Sequence, residues 1–389
     1  MLADNTKKTE VWDTKTQAFH GGQEHRFLDN FVEDFSVTTN YLGTPRKALE
    51  AAREAISEVH HYPAANQEPA KTSLAQFLWP TDYAEHHGRL LLGNGASELI
   101  DLVVRKTLLQ CIARGVTKPK WKGGPWNVQY REYQRSAENN EFEIMDPTYK
   151  EPVDLLCIVN PCNPTGDYFD IESLKTFLKA NVVPNGAVLV EISDKVILIP
   201  SKSDESMQPW HSKEFRSDSL ISSHEFVQEM WEKHQISIHV IHSWTKIWSC
   251  TGLRVGSIIC PTASHCEALR KIQVPWSVNG PALQFVEAVV QDEEYLNETW
   301  ENTGRLRAYL IEKLTGLNDK WVYHGKPFLS WIWVDMLTVE TAEKAIDLAR
   351  QAGVPVRSGK PGYSCPTFVR VAVRKEPEVE CLIKAWQSL

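Results

Sequence analysis

Short apolar runs alternate along the chain with stretches whose apolar positions recur every three or four residues, the spacing of one helix face. Pro45 opens such a stretch, with Ala48, Leu49, Ala52, Ala55, Ile56 and Val59 on one side, and His60-His61-Tyr62-Pro63 closes it. A second helix is predicted over Thr72 to Phe77. Leu90-Leu91-Leu92 reads as a strand that feeds a helix running to about Arg114. Buried-strand runs follow at Leu155 to Val159, Ala187 to Ile192, Ile236 to Ile241 and Ile258 to Cys260, with a helix at Ile171 to Lys179. Lys118 to Pro125 is basic, bears Trp and Gly, and shows no clear strand; Val128 to Asn139 is helical or mixed. After Pro275 the texture changes. A helical stretch from Ala282 to about Leu314 leads to a strand at Trp331 to Asp335. A helix from Thr341 to Gln351 stops at Gly353, as glycine allows. A strand at Phe368 to Val373 precedes a closing helix that starts near Pro377, a residue suited to a first helical turn. Alternating strands and helices predict an α/β fold with a largely parallel sheet. The expected organisation is an N-terminal arm or lid (1–35), a large domain (36–270) and a small C-terminal domain (271–389).

A chain of 389 residues can bury a sizeable core in more than one domain. Its net charge is −8 and no basic block stands out, which argues against nucleic acid as a partner. No apolar run is long enough to span a bilayer, and the first residues lack the apolar centre of a signal peptide. The eight cysteines form no Cys-x-x-Cys pair and read as reduced cytoplasmic thiols, not as a metal site.

Three stretches carry chemistry. In His242-Ser-Trp-Thr-Lys246-Ile-Trp-Ser-Cys-Thr-Gly-Leu-Arg254-Val-Gly256, a serine, a lysine and an arginine follow an apolar strand. Strand ends are where open α/β sheets bind ligands. A lysine shielded there can attack carbonyls, while a hydroxyl and a forked guanidinium suit a phosphate. Gly93-Asn-Gly-Ala96-Ser97 lies between strand and helix, where backbone N–H groups bind anions. Asn160-Pro-Cys-Asn163-Pro-Thr-Gly166 is a rigid turn at another strand end.

Together these stretches resemble the fold-type I pyridoxal-phosphate enzymes of the class I/II aminotransferase family, closest to the histidinol-phosphate aminotransferase branch. Ser-x-x-Lys with Gly-Leu-Arg-x-Gly is the family's cofactor-lysine segment, and Asn-Pro-x-Asn-Pro-Thr-Gly is its Asn-Pro motif. The resemblance spans about residues 35–389 and implies a large domain with a mostly parallel central sheet flanked by helices, plus a smaller α+β domain. It implies pyridoxal 5′-phosphate held as an internal aldimine on Lys246. Ser243, Arg254 and the N–H groups of Ala96 and Ser97 would hold the phosphate, and Asn163 the ring hydroxyl oxygen. The ring nitrogen needs a carboxylate that keeps it protonated. Asp194 fits the first place of the family's Asp-Glu-x-Tyr pattern, with Glu191 as the alternative; Lys195 and Ile197 depart from that pattern, so its tyrosine is missing. Tyr130 resembles the aromatic stacked on the ring, with Trp126 as the alternative. Tyr62 resembles the tyrosine that reaches a neighbouring subunit's phosphate, which implies a homodimer. Arg370 resembles the arginine that grips the substrate's carboxylate or phosphate, Arg357 is a second anion contact, and Asn40 and Tyr41 line the substrate pocket. Arg374 reads equally well as a surface charge.

The resemblance implies an aminotransferase acting on an amino acid or related amine. A second reading keeps the cofactor and changes the reaction to decarboxylation, as in threonine-phosphate decarboxylase, or to elimination and cyclisation, as in capreomycidine synthase. The absent tyrosine, Lys195 and the Trp-bearing segment 121–126 motivate it. A third reading is a silent fold used for binding or regulation. No metal is expected.

Overall fold

The computed structural model describes residues 20–192, 216 and 219–389. It divides into two compact units, one of Leu42–Asn163 and Asp167–Trp300, the other of 20–41, Pro164–Gly166 and Glu301–Leu389. The division thus falls at Trp300, not near 270, and the N-terminal arm belongs with the C-terminal residues.

The larger unit is built on a seven-stranded sheet in the order β1-β7-β6-β5-β4-β2-β3. Its strands are β1 (Leu90–Asn94), β2 (Lys120–Gly123), β3 (Glu143–Met145), β4 (Val153–Asn160), β5 (Val182–Ile192), β6 (Ser237–His242) and β7 (Val255–Ile259). β2, β3, β4, β5 and β6 run parallel. β7 is antiparallel to both β6 and β1, so β1 points the same way as the parallel set. Helices cover both faces, which explains why β4, β5 and β6 read as near-continuous apolar runs and not as alternating ones. Two separate apolar layers form, one including Leu156, Val190 and Val240, the other including Leu155, Leu189 and Ile241.

Four helices matter below: α1 (Arg46–Glu54), α2 (Gly95–Ala113), α3 (Glu132–Asn139) and α4 (Trp244–Ile247). The stretch expected as one helix from Ala282 is two, Gly280–Val289 and Glu293–Leu317. Among the described residues no helix is long and apolar enough to cross a membrane.

β2 corrects the expectation for 118–125. Trp121 pairs with Leu155 inside the sheet. Its two flanking lysines are compatible with a strand because their stems lie along it and their ammonium groups reach out. Lys120 Nζ donates to the Tyr149 hydroxyl at 2.7 Å and Lys122 Nζ to the Tyr149 carbonyl at 2.6 Å.

The smaller unit carries an antiparallel sheet ordered β10-β11-β9-β8: β8 (Val322–His324), β9 (Trp331–Asp335), β10 (Arg357–Ser358) and β11 (Phe368–Ala372). Its inner face packs Ile332, Val334, Val369 and Val371 against helices Val339–Gln351 and Glu376–Trp386. Arg374 is buried here, not a surface charge. Its guanidinium donates to the carbonyls of Thr39 (2.8 Å) and Val37 (2.7 Å) and lies 3.3 Å from Glu33. Ala372 N donates to Phe35 O at 2.9 Å, so the arm is tied to the end of β11.

Candidate active site

Because β1, β4, β5 and β6 point the same way, their C-terminal ends share one edge of the sheet, and β7 starts from that edge. Each chemical motif leaves one of these ends. β1 delivers the glycine turn, β7 follows Arg254, β6 delivers Ser243 and Lys246, β5 ends beside Glu191, and β4 opens the Asn160 turn. These strands are consecutive in the sheet, so the anion-binding groups gather at the β1–β7 side and the carboxylate lies farther along.

The glycine turn is a cradle with no spare room. Gly95 has φ +76°, and a Cβ there would run into the Arg254 guanidinium. A Cβ on Gly256 would come within 2.6 Å of Ala96 N. The helix α2 begins at Gly95, so Ala96 and Ser97 present first-turn N–H groups beside Arg254. Asn94 N is already taken by Glu98 Oε2 at 2.7 Å. Arg254 itself adopts φ +62° and donates to Thr251 O at 3.0 Å, which fixes the fork.

Lys246 stands on α4, a single turn laid on a floor of tryptophans. Trp244 and Trp248 are buried and stacked at 4.8 Å, and Trp244 Nε1 donates to Ser257 Oγ at 2.8 Å. Lys246 Nζ donates to Thr245 Oγ1 at 3.2 Å, and Thr245 Oγ1 lies 3.1 Å from Ser243 Oγ.

Glu191 pairs with Val159 on one side and Ile241 on the other, deep in the sheet. Burial raises the pKa of its carboxyl, while Tyr133 on α3 and the charge of Lys246 pull it back down. The Tyr133 hydroxyl is fully buried and pushed well up by burial and by Glu191. The two groups interact without the alignment of a full hydrogen bond, and Glu191 Oε2 has no hydrogen-bond partner among the described residues. An orphaned carboxylate oxygen in so dry a place calls for a cationic or N–H partner.

The Asn-Pro turn is fixed by its own side chain: Asn160 Nδ2 donates to Phe169 O at 2.8 Å and Oδ1 accepts from Phe169 N at 2.8 Å. Cys162 N donates to Asp167 O at 2.7 Å, closing the loop that carries Asn163. Trp126 is committed to structure, donating from Nε1 to Val159 O at 3.0 Å and packing on Phe169. Tyr130 is half-buried and meets Tyr133 edge-on at 6.2–6.4 Å, printed as 6.3 Å between ring centres.

Asp194 lies outside the described residues. Tyr62 is exposed and stacks on Trp276 at 4.4 Å, beside a groove of about 770 Å³ lined by residues of α1 and of helix Gly280–Val289. Arg370, Arg357, Asn40 and Tyr41 belong to the smaller unit. There Arg357 and Arg370 are register partners across β10 and β11, so their buried side chains leave the same face. Burial lowers the Arg357 pKa, and repulsion from Arg370 lowers it further. Arg370 also donates to Ser36 O at 2.6 Å, and Arg357 lies over the Tyr363 ring at 5.7 Å. Thr245 and Tyr133 are additions that the motifs do not single out; the only hint is a hydroxyl residue directly beside the lysine.

The family model for class I and II aminotransferases matches residues 32–385. The chain belongs to that family. A curated relative, histidinol-phosphate aminotransferase 2 of Pseudomonas aeruginosa, is 26% identical over 361 residues, covering 89% of this chain and 86% of its own. Among solved structures, the histidinol-phosphate aminotransferase of Sinorhizobium meliloti in complex with pyridoxal-5′-phosphate superposes with a TM-score of 0.70 at 15% identity, covering 92% of this chain and 90% of its own. The L-threonine-O-3-phosphate decarboxylase of Porphyromonas gingivalis gives 0.68 at 15% identity, covering 92% and 99%. The architecture is accordingly the fold-type I aminotransferase fold, and pyridoxal 5′-phosphate is the cofactor of this class I and II enzyme. The donors at the sheet edge fit it: an anion cradle at one end, a lysine in the middle, and an orphaned buried carboxylate at the other.

Proposed function

We propose that this enzyme is an aminotransferase acting on an anionic amino acid or a related amine, with Lys246 as the residue that tethers the cofactor. The observation that carries the proposal is Glu191: a buried carboxylate at the end of β5, within electrostatic reach of Lys246, with one oxygen unpartnered. Ala96, Ser97, Ser243 and Arg254 would hold the cofactor's phosphate, Asn163 its ring oxygen and Glu191 its ring nitrogen, with Tyr130 against the ring. Counted from Glu191, the fourth place of Asp-Glu-x-Tyr falls on Asp194, so a carboxylate stands where the family carries a phenol.

When bound, pyridoxal phosphate supplies an aldehyde that captures amines and a protonated ring that withdraws electrons from the substrate's α-carbon. Lys246 moves the proton at that carbon, as base and then as acid. Glu191 holds its negative charge in a dry site, where it is worth more than in water. Arg357 and Arg370 would orient the substrate through a carboxylate or phosphate, since two forked cations side by side favour an anion with several oxygens. Asn40 and Tyr41 would line the same pocket. Exposed Ile56, Val59, Tyr62, Val274 and Trp276 form an apolar rim suited to a second copy of the chain, with Tyr62 completing the neighbour's phosphate site. The eight cysteines are all thiols, which fits action in the reducing cytoplasm.

A second reading, decarboxylation or elimination on the same cofactor, is favoured by the likeness to the threonine-phosphate decarboxylase fold and by the missing phenol. Purified protein should absorb near the visible edge, and Lys246→Ala should lose that band; an unchanged spectrum in the variant ends the proposal. Consumption of 2-oxoglutarate separates amino transfer from the second reading.

A further inference from the structure

Thr245 stands between two residues of the site. Its hydroxyl accepts from Lys246 Nζ at 3.2 Å and meets Ser243 Oγ at 3.1 Å. Its side chain is buried on the tryptophan floor, and its backbone carbonyl is pinned by Cys250 N at 3.1 Å. A hydroxyl has one proton and two lone pairs. With Ser243 on one side fixing its rotor, Thr245 keeps a lone pair aimed at the lysine amine. A lysine stem has four rotatable bonds and sweeps a wide volume unless its end is held.

We infer that Thr245 is a positioning residue for Lys246: it is where the amine rests whenever it is not joined to the cofactor, aimed so that it can rejoin it or move a proton at the substrate. This rests on the reading of Lys246 as the tether. Joining forms one carbon–nitrogen bond between the amine and the cofactor aldehyde and releases one water. The hydroxyl takes no part in that balance; it shortens the search for the geometry in which it occurs.

The test is the rate at which cofactor-free protein captures pyridoxal 5′-phosphate, followed by absorbance. Thr245→Val should capture it about tenfold more slowly, as loss of one orienting hydrogen bond implies. Thr245→Ser should restore the rate to within about twofold. In turnover, kcat of the valine variant should fall while KM stays put. Pyridoxine 5′-phosphate, which lacks the aldehyde, should bind the parent and both variants alike, because Ala96, Ser97 and Arg254 are untouched. A valine variant as fast as the parent overturns the inference. Equal weakening of both ligands overturns it too, since Thr245 would then merely support the fold. If the parent binds pyridoxine 5′-phosphate but never joins pyridoxal 5′-phosphate, the tether itself has been assigned wrongly, and the inference falls with it.

Discussion

Glu191 shows how much a single position decides. Glu191→Gln keeps the shape and removes the charge, so kcat should fall about a hundredfold, or roughly 3 kcal/mol, while the cofactor stays covalently attached. Mass spectrometry after borohydride reduction reports attachment, and steady-state kinetics reports kcat. An unaltered kcat would move the role to Asp194, for which Asp194→Asn is the comparison. The sequence leaves these two acids open because a short pattern match pulls toward Asp194. Register in the sheet is what distinguishes Glu191, as the partner of Val159 and Ile241. Lys246, Asn163, Ser243 and Arg254 were legible from motif strings that few other constraints produce. Thr245 and Tyr133 were not, because a hydroxyl becomes informative only once its neighbours are placed.

At the level of elements, β6 carries an acid-sensitive weakness. His239 and His242 are buried in it, and burial drives both pKa values down to about 3 from 6.5. Neither ring nitrogen of His242 has a hydrogen-bond partner among the described residues, and the ring stacks on Trp244 at 4.8 Å. The unfolded chain takes up these protons near pH 6.5, whereas the folded chain resists them until about pH 3. Stability is therefore intact above pH 6.5 and falls as the pH drops through that window, by about 2 kcal/mol per histidine at pH 5. His242→Phe should flatten the fall of the urea midpoint between pH 8 and pH 5; a slope equal to the parent's would exclude this cause. Most strands were readable because both faces are buried and their apolar runs are unbroken. β2 was hidden by Lys120 and Lys122, whose charges escape along Tyr149. Arg374 misled for the opposite reason, since the carbonyls it binds lie more than 300 residues earlier in the chain.

For the whole molecule, the exposed rim around Tyr62 and Trp276 predicts assembly. The parent should sediment at twice the chain mass. Val59→Asp, which places a charge on a residue 63% exposed, should shift it toward monomer and lower cofactor affinity as Tyr62 loses its neighbour. A parent that sediments as a monomer would remove Tyr62 from the phosphate site. The likeness to solved structures extends over the fold, while the substrate rests on Arg357 and Arg370 and on side chains that no periodicity in the sequence reveals.

The bonds from Ala372 and Arg374 to residues 35–39 also set an order of events during synthesis. The arm leaves the ribosome first, yet the groups that hold it leave almost last. The larger unit can close its sheet around Lys246 while residues 20–41 still wait for their anchors. A nascent chain stalled short of residue 372 would thus display a finished cofactor cradle and an unfastened beginning, and proteases would meet that beginning first.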